Sequence, residues 1–74
     1  RIDMTETLYI DLYELDQKVK VVIEDNRYCF YIYDKFILEY NKGKLVFNDD
    51  VKTQNTILLA LFDLIDALEV EYGS

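Results

Sequence analysis

The stretch VKVVIEDNRYCFYI, Val19 to Ile32, decides how this chain folds. Val19, Val21 and Ile23 alternate with Lys20, Val22 and Glu24, a period of two carried by β-branched residues, as in a half-buried strand. Tyr28, Phe30 and Ile32 alternate in the same way with Cys29 and Tyr31. Between the two runs stands Glu24-Asp25-Asn26-Arg27. Asp and Asn tolerate the left-handed backbone that two-residue hairpin loops require. The turn sets a register: Ile23 opposite Tyr28, Val21 opposite Phe30 and Val19 opposite Ile32 on one face, with Glu24 opposite Arg27 on the other. A slip of one residue would expose every apolar side chain of the first face.

Downstream, Asp34-Lys35 reads as the next reversal, which sets Leu38 and Tyr40 opposite Ile32 and Phe30. Asn41-Lys42-Gly43-Lys44 reads as another, because Gly43 takes positive φ without steric cost. A two-residue loop there pairs Tyr40 with Leu45 and Leu38 with Phe47. The period then changes. Ile57, Leu58, Leu61, Leu64, Ile65, Leu68 and Tyr72 recur at spacings of three and four, which predicts an amphipathic helix with a wide apolar stripe. Asn48, Asp49 and Asp50 are candidates for its N-cap, and Gly73 for its stop. Upstream, TLYIDLYEL (residues 7–15) fits a strand or a helix. A strand is preferred, with Leu12 beside Val21 and Ile10 beside Ile23. The expected fold is therefore α+β: a four- or five-stranded antiparallel β-meander with one C-terminal helix packed on one face, as a single small domain over residues 1–74.

Size and composition bound the function. The chain has 74 residues, a single cysteine, and no histidine, proline or tryptophan. A domain this short buries only about 60% of the surface its unfolded chain exposes. Secreted scaffolds of such size carry paired cysteines. The unpaired Cys29 instead suggests a reduced, cytoplasmic setting. The longest apolar run, Ile57 to Phe62, falls far short of the roughly 20 residues that span a bilayer, so no membrane partner is expected. The chain begins at Arg1. Met4 as a native start and a piece of a longer protein are both open readings. Abundant Lys, Ile, Tyr, Phe and Asn, residues of AT-rich codons, hint at a bacterium of that kind or its phages and mobile elements.

The net charge is −7. The excess falls at the two ends, because residues 17–52 balance six carboxylates with seven bases. Residues 1–16 hold Asp3, Glu6, Asp11, Glu14 and Asp16 against Arg1, and residues 53–74 hold Asp63, Asp66, Glu69 and Glu71 with no base. Such a surface repels nucleic acid and anionic membranes and steers toward basic partners. In Lys42–Phe47, KGKLVF has a faint likeness to the start of an RNA-binding strand motif. The following aromatic positions do not match, and the basic footprint of nucleic-acid binding is missing. Direct nucleic-acid binding is not expected.

Catalysis finds little to work with. No histidine is available as a base, and the sole serine is Ser74. Cys29 falls mid-strand among apolar neighbours, where a thiol is inert. Asp63 with Asp66, and Asp49 with Asp50, lack the spacing of a calcium loop. With two glycines there is no phosphate-binding loop. No enzyme, cofactor or metal is expected.

A binding protein remains. The sheet face away from the helix is expected to carry Tyr9, Tyr13, Val22, Cys29, Tyr31, Tyr33, Ile37 and Val46. Tyrosine is enriched at interfaces because a large apolar ring ends in a hydrogen-bonding group. Off the helix's main stripe, Leu59, Phe62 and Val70 stand beside Asp63 and Asp66. The leading expectation is a small acidic inhibitor, a nucleic-acid-mimicking decoy that binds a basic nucleic-acid-processing enzyme. Asp11, Glu14, Asp63, Asp66, Glu69 and Glu71 would stand where phosphates sit. The alternative is a homodimer or assembly subunit joined through the tyrosine face, with Tyr9, Tyr13, Tyr31 and Tyr33 at its contact.

Overall fold

The structure, a computed structural model, describes residues 5–12, 15–16 and 18–73. Five strands form one antiparallel sheet in sequence order: β1 (Thr5–Ile10), β2 (Val19–Glu24), β3 (Arg27–Ile32), β4 (Lys35–Asn41) and β5 (Lys44–Phe47). Helix α1 (Asn55–Tyr72) follows. This is the α+β meander that the alternation predicts.

The central hairpin has the expected register, with Val21 opposite Phe30, Ile23 opposite Tyr28 and Glu24 opposite Arg27. Asp25 takes φ 54° in its turn, and Arg27 binds the Glu24 carboxylate across it. Tyr40–Leu45 and Leu38–Phe47 also pair as expected, around Lys42 and Gly43 at φ 51° and 84°. One face of the sheet and the inner side of α1 make the core. Val19, Val21, Phe30, Leu38 and Leu61 are fully buried, joined by Ile23, Tyr28, Ile32, Ile37, Ile65 and Leu68. The Tyr28 ring stacks on Tyr40 at 5.9 Å. The Tyr28 hydroxyl donates to the Glu69 carboxylate at 2.6 Å, tying the helix to the sheet.

Four details depart from the sequence reading. The turn between β3 and β4 is Tyr33-Asp34, with φ 52° and 62°, not Asp34-Lys35. Leu38 therefore lies opposite Phe30, and Tyr40 opposite Tyr28. A bulge accompanies the shift: Phe30 pairs with Leu38 but Tyr31 pairs with Phe36, so Ile37 is the extra residue. The bulge reverses the facing of β4 ahead of it. Ile37, expected on the outer face, is buried in the core, and Phe36 takes its place outside.

Second, β1 pairs Leu8 with Val21 and Ile10 with Val19, four residues out of the expected register. Both registers keep the same side chains on the core face, so alternation alone does not choose between them. The observed one frees Leu12 and Leu15 to pack against the core from the connection.

Third, the residues proposed as N-cap do other work. The Asn48 amide donates to the Phe36 carbonyl at 2.8 Å, its backbone N–H donates to the Ile37 carbonyl at 2.9 Å, and its side-chain oxygen accepts from the Asp50 N–H. Asn48 thus serves the carbonyls that the bulge displaces. The helix instead opens at Gln54, with no side-chain cap. It stops at Gly73, as expected, but in extended backbone. A Cβ there would sit 2.5 Å from the Glu69 carbonyl oxygen, so close approach rather than positive φ requires the glycine.

Fourth, Phe62, expected off the stripe, packs against the core and meets the Phe47 ring edge-on at 6.3 Å.

Candidate protein-binding surface

The sheet's outer face is organised in transverse rows, because directly opposite residues in antiparallel strands share a face. One row is Tyr9, Lys20, Tyr31 and Phe36. The next is Thr7, Val22, Cys29, Glu39 and Val46, and beyond it lie Thr5, Glu24, Arg27, Asn41 and Lys44. The face grades from aromatic at one end to charged at the other.

The aromatic row holds itself in place. Tyr31 and Phe36 meet edge to face at 5.8 Å, and the Lys20 ammonium lies 5.3 Å from the Tyr31 ring centre. Tyr9 is 62% exposed at the end of the row. The helix lies on the opposite side of the sheet and covers none of these side chains. In the middle row, burial and the neighbouring Glu39 carboxylate push the Cys29 thiol pKa up, away from thiolate reactivity. Cys29 donates to Glu39 at 3.8 Å.

The expected contact residues divide between surfaces. Tyr9 and Tyr31 share the outer face. Tyr33 leaves it: its strand has ended, and its hydroxyl donates to Asp16 at 3.1 Å. It borders an open cleft of about 530 Å³ at the start of α1, between Leu15, Ile32 and Lys35 on one side and Val51, Lys52 and Ile57 on the other. Asp11 is exposed in the connection after β1. Tyr13 and Glu14 lie outside the described residues.

On the helix, Asp63 and Asp66 are exposed in one stripe with Leu59 and Val70, a spacing of four, three and four. Val70 is 87% exposed. This stripe faces away from the sheet, so it and the aromatic row sit on opposite sides of the molecule. Glu69 is exposed as well, and one of its carboxylate oxygens accepts from Tyr28. Glu71 is exposed in the last turn, where a carboxylate opposes the helix dipole.

The sequence reading missed Phe36 as a surface aromatic. The signal was present in Phe36-Ile37-Leu38, three consecutive apolar residues in an otherwise alternating strand. Such a run marks a place where the facing changes.

Among the described residues, no cluster of three or more His, Cys, Asp or Glu side chains is placed to hold a metal. No helix among them is long and apolar enough to cross a membrane. Comparison with family models, with curated proteins and with solved structures finds no match.

Proposed function

We propose that this protein is a non-enzymatic binding module whose contact surface is the outer face of the sheet. The observation that carries this reading is the row Tyr9-Lys20-Tyr31-Phe36, aromatic and uncovered by the helix. Rings already fixed by their neighbours lose little side-chain freedom on binding, which favours them as contact anchors. The partner is another protein, met by an aromatic end and a mixed-charge end of one flat surface.

A second reading, the acidic decoy from a phage or mobile element, rests on a different surface. Asp63 and Asp66, flanked by Leu59 and Val70, favour a basic partner with apolar ground between its charges. The two readings predict opposite mutational patterns. Tagged protein would be used to capture partners from a bacterial lysate, with Tyr9→Asp on one side and Asp63→Lys with Asp66→Lys on the other. Loss of a captured protein with Tyr9→Asp alone supports the sheet face. Loss with the helix pair alone, together with release by salt, transfers the function to the decoy surface. A captured protein retained by both variants overturns both readings.

A further inference from the structure

We infer that the β5 edge is a self-pairing surface, through which two copies of this chain join into one ten-stranded sheet. This contact runs along the edge of the sheet; it shares Val46 with the middle row of the outer face, and the Lys42 and Asp50 variants below test it apart from that face.

The inference starts from an open edge. β5 ends the strand order, and each of its four residues is exposed. Leu45, Val46 and Phe47 are 39%, 48% and 43% exposed, three apolar residues in a row on an edge. Soluble proteins usually blunt such an edge with charges, prolines or bulges. Here Lys44 stands alone at one end of the strand.

Hydrogen bonding gives the edge a direction. The two-residue loop makes Asn41 and Lys44 a hydrogen-bonded pair, and the pattern alternates along the ladder. The N–H and C=O groups of Val46 then turn toward β4, and those of Leu45 and Phe47 turn outward. The backbone N–H of Asn48, next in phase with Val46, indeed points inward to the Ile37 carbonyl at 2.9 Å. Leu45 and Phe47 therefore present their backbone groups along the free edge.

A second copy fits this edge in antiparallel register about Val46. Leu45 of each copy then lies opposite Phe47 of the other, and both pairs can exchange backbone hydrogen bonds. Leu45 and Phe47 also share the core face, where Phe47 already meets Phe62. Pairing extends that apolar strip across the two-fold axis.

Charge selects the same arrangement. The segment reads KGKLVFNDD from Lys42 to Asp50, with lysines before the apolar centre and aspartates after it. Antiparallel pairing about Val46 places Lys44 beside Asn48 of the second copy, and brings the turn that carries Lys42 to the end of the strand where the second copy's Asn48–Val51 turn carries Asp50. Parallel pairing would place lysine beside lysine and aspartate beside aspartate. The segment is complementary to its own reverse, as an isologous two-fold contact requires. Four residues of edge make a small interface, so the dimer is concentration-dependent. Because the two-fold axis is perpendicular to the sheet, both outer faces end up on the same side.

Sedimentation equilibrium of the full chain tests this, alongside Val46→Lys, Tyr9→Asp, Lys42→Asp and the exchange of Lys42→Asp with Asp50→Lys. Val46 is exposed, so a circular-dichroism spectrum matching the parent is expected for Val46→Lys. The parent is expected to pass from 8.9 kDa to twice that mass as concentration rises. Val46→Lys sets like charges directly opposite and should raise the dimer dissociation constant about tenfold or more. Lys42→Asp should weaken association, and the double exchange should restore it, which a folding defect would not do. A parent that stays monomeric to about 1 mM overturns the proposal. So does a dimer that survives Val46→Lys and is lost with Tyr9→Asp, which would assign self-association to the outer face.

Discussion

The two faces of this sheet are built from the same strands by the same alternation, yet they end in different states. On the inner face, Val19, Val21, Ile23, Tyr28, Phe30 and Ile32 are buried beneath Leu61, Ile65 and Leu68. On the outer face, Lys20, Val22, Cys29 and Tyr31 are half-buried, with no helix over them. A period of two therefore makes two candidate faces, and side-chain chemistry decides which one the helix covers. β-Branched aliphatics suit dense packing. Rings with a hydroxyl, and a lysine over one of them, tolerate water on one side and another protein on the other.

Adjacent residues on β3 give the sharpest way to break that comparison. Phe30 and Tyr31 are both aromatic and one residue apart, but only Phe30 is fully buried. Phe30→Ala should cost about 3–5 kcal/mol. For a domain of this size that approaches the whole stability. Tyr31→Ala should cost about 1 kcal/mol, chiefly its contacts with Phe36 and Lys20. Urea titration of the two variants reads the difference. Comparable losses would mean that the outer face is packed against something in solution.

How legible this was in the sequence depends on how local the determinant was. The hairpins around Asp25-Asn26 and Lys42-Gly43 were legible because turn chemistry, alternation and pairing agreed within a few residues. The helix was legible from Ile57 to Tyr72 because seven apolar positions kept its period. The β1 register was not, because Leu8, Ile10 and Leu12 satisfy two registers of the same parity. A connection of eight residues sets no register of its own. The turn at Tyr33-Asp34 was hidden because tyrosine is a poor candidate for positive φ. With that turn misplaced, Phe36 and Ile37 exchanged faces. The charged helix residues were read correctly as exposed, but not that the Glu69 carboxylate accepts from Tyr28, forty-one residues away. No local pattern announces such a pair.

The bulge offers a subtler test, since it decides which β4 side chain joins each face. Asn48 satisfies the Phe36 carbonyl with its side chain and holds the turn through Asp50. Asn48→Ala removes both bonds and should cost about 1–3 kcal/mol. If the bulge depends on Asn48, the Phe36 ring should also lose its fixed position against Tyr31, visible as averaged aromatic signals in a proton NMR spectrum. Destabilisation without that change would show that Tyr31 and Phe36 set the bulge themselves.

The smallest effect separates a tyrosine in the core from ordinary phenols. Burial raises the pKa of Tyr28 above its usual value of 10, and the hydrogen bond to Glu69 raises it further. The folded protein therefore keeps a proton that the unfolded chain releases. Below pH 10 both states hold the proton, and the contribution is complete. As pH rises past 10 the unfolded state ionises first, and stability falls toward the higher folded pKa. One proton of difference corresponds to about 1 kcal/mol lost between pH 10 and 11. Lysine titration overlaps this window, so the readout is the difference between the parent and Tyr28→Phe. That variant has no phenol to ionise at position 28 and should be less stable at pH 7, because Glu69 loses its donor. It should also lose less stability between pH 10 and 11. Parallel curves would mean that the Tyr28 hydroxyl reaches water in solution, and that the helix is held to the sheet by its apolar stripe and the hydrogen bond from Tyr72 to Glu6.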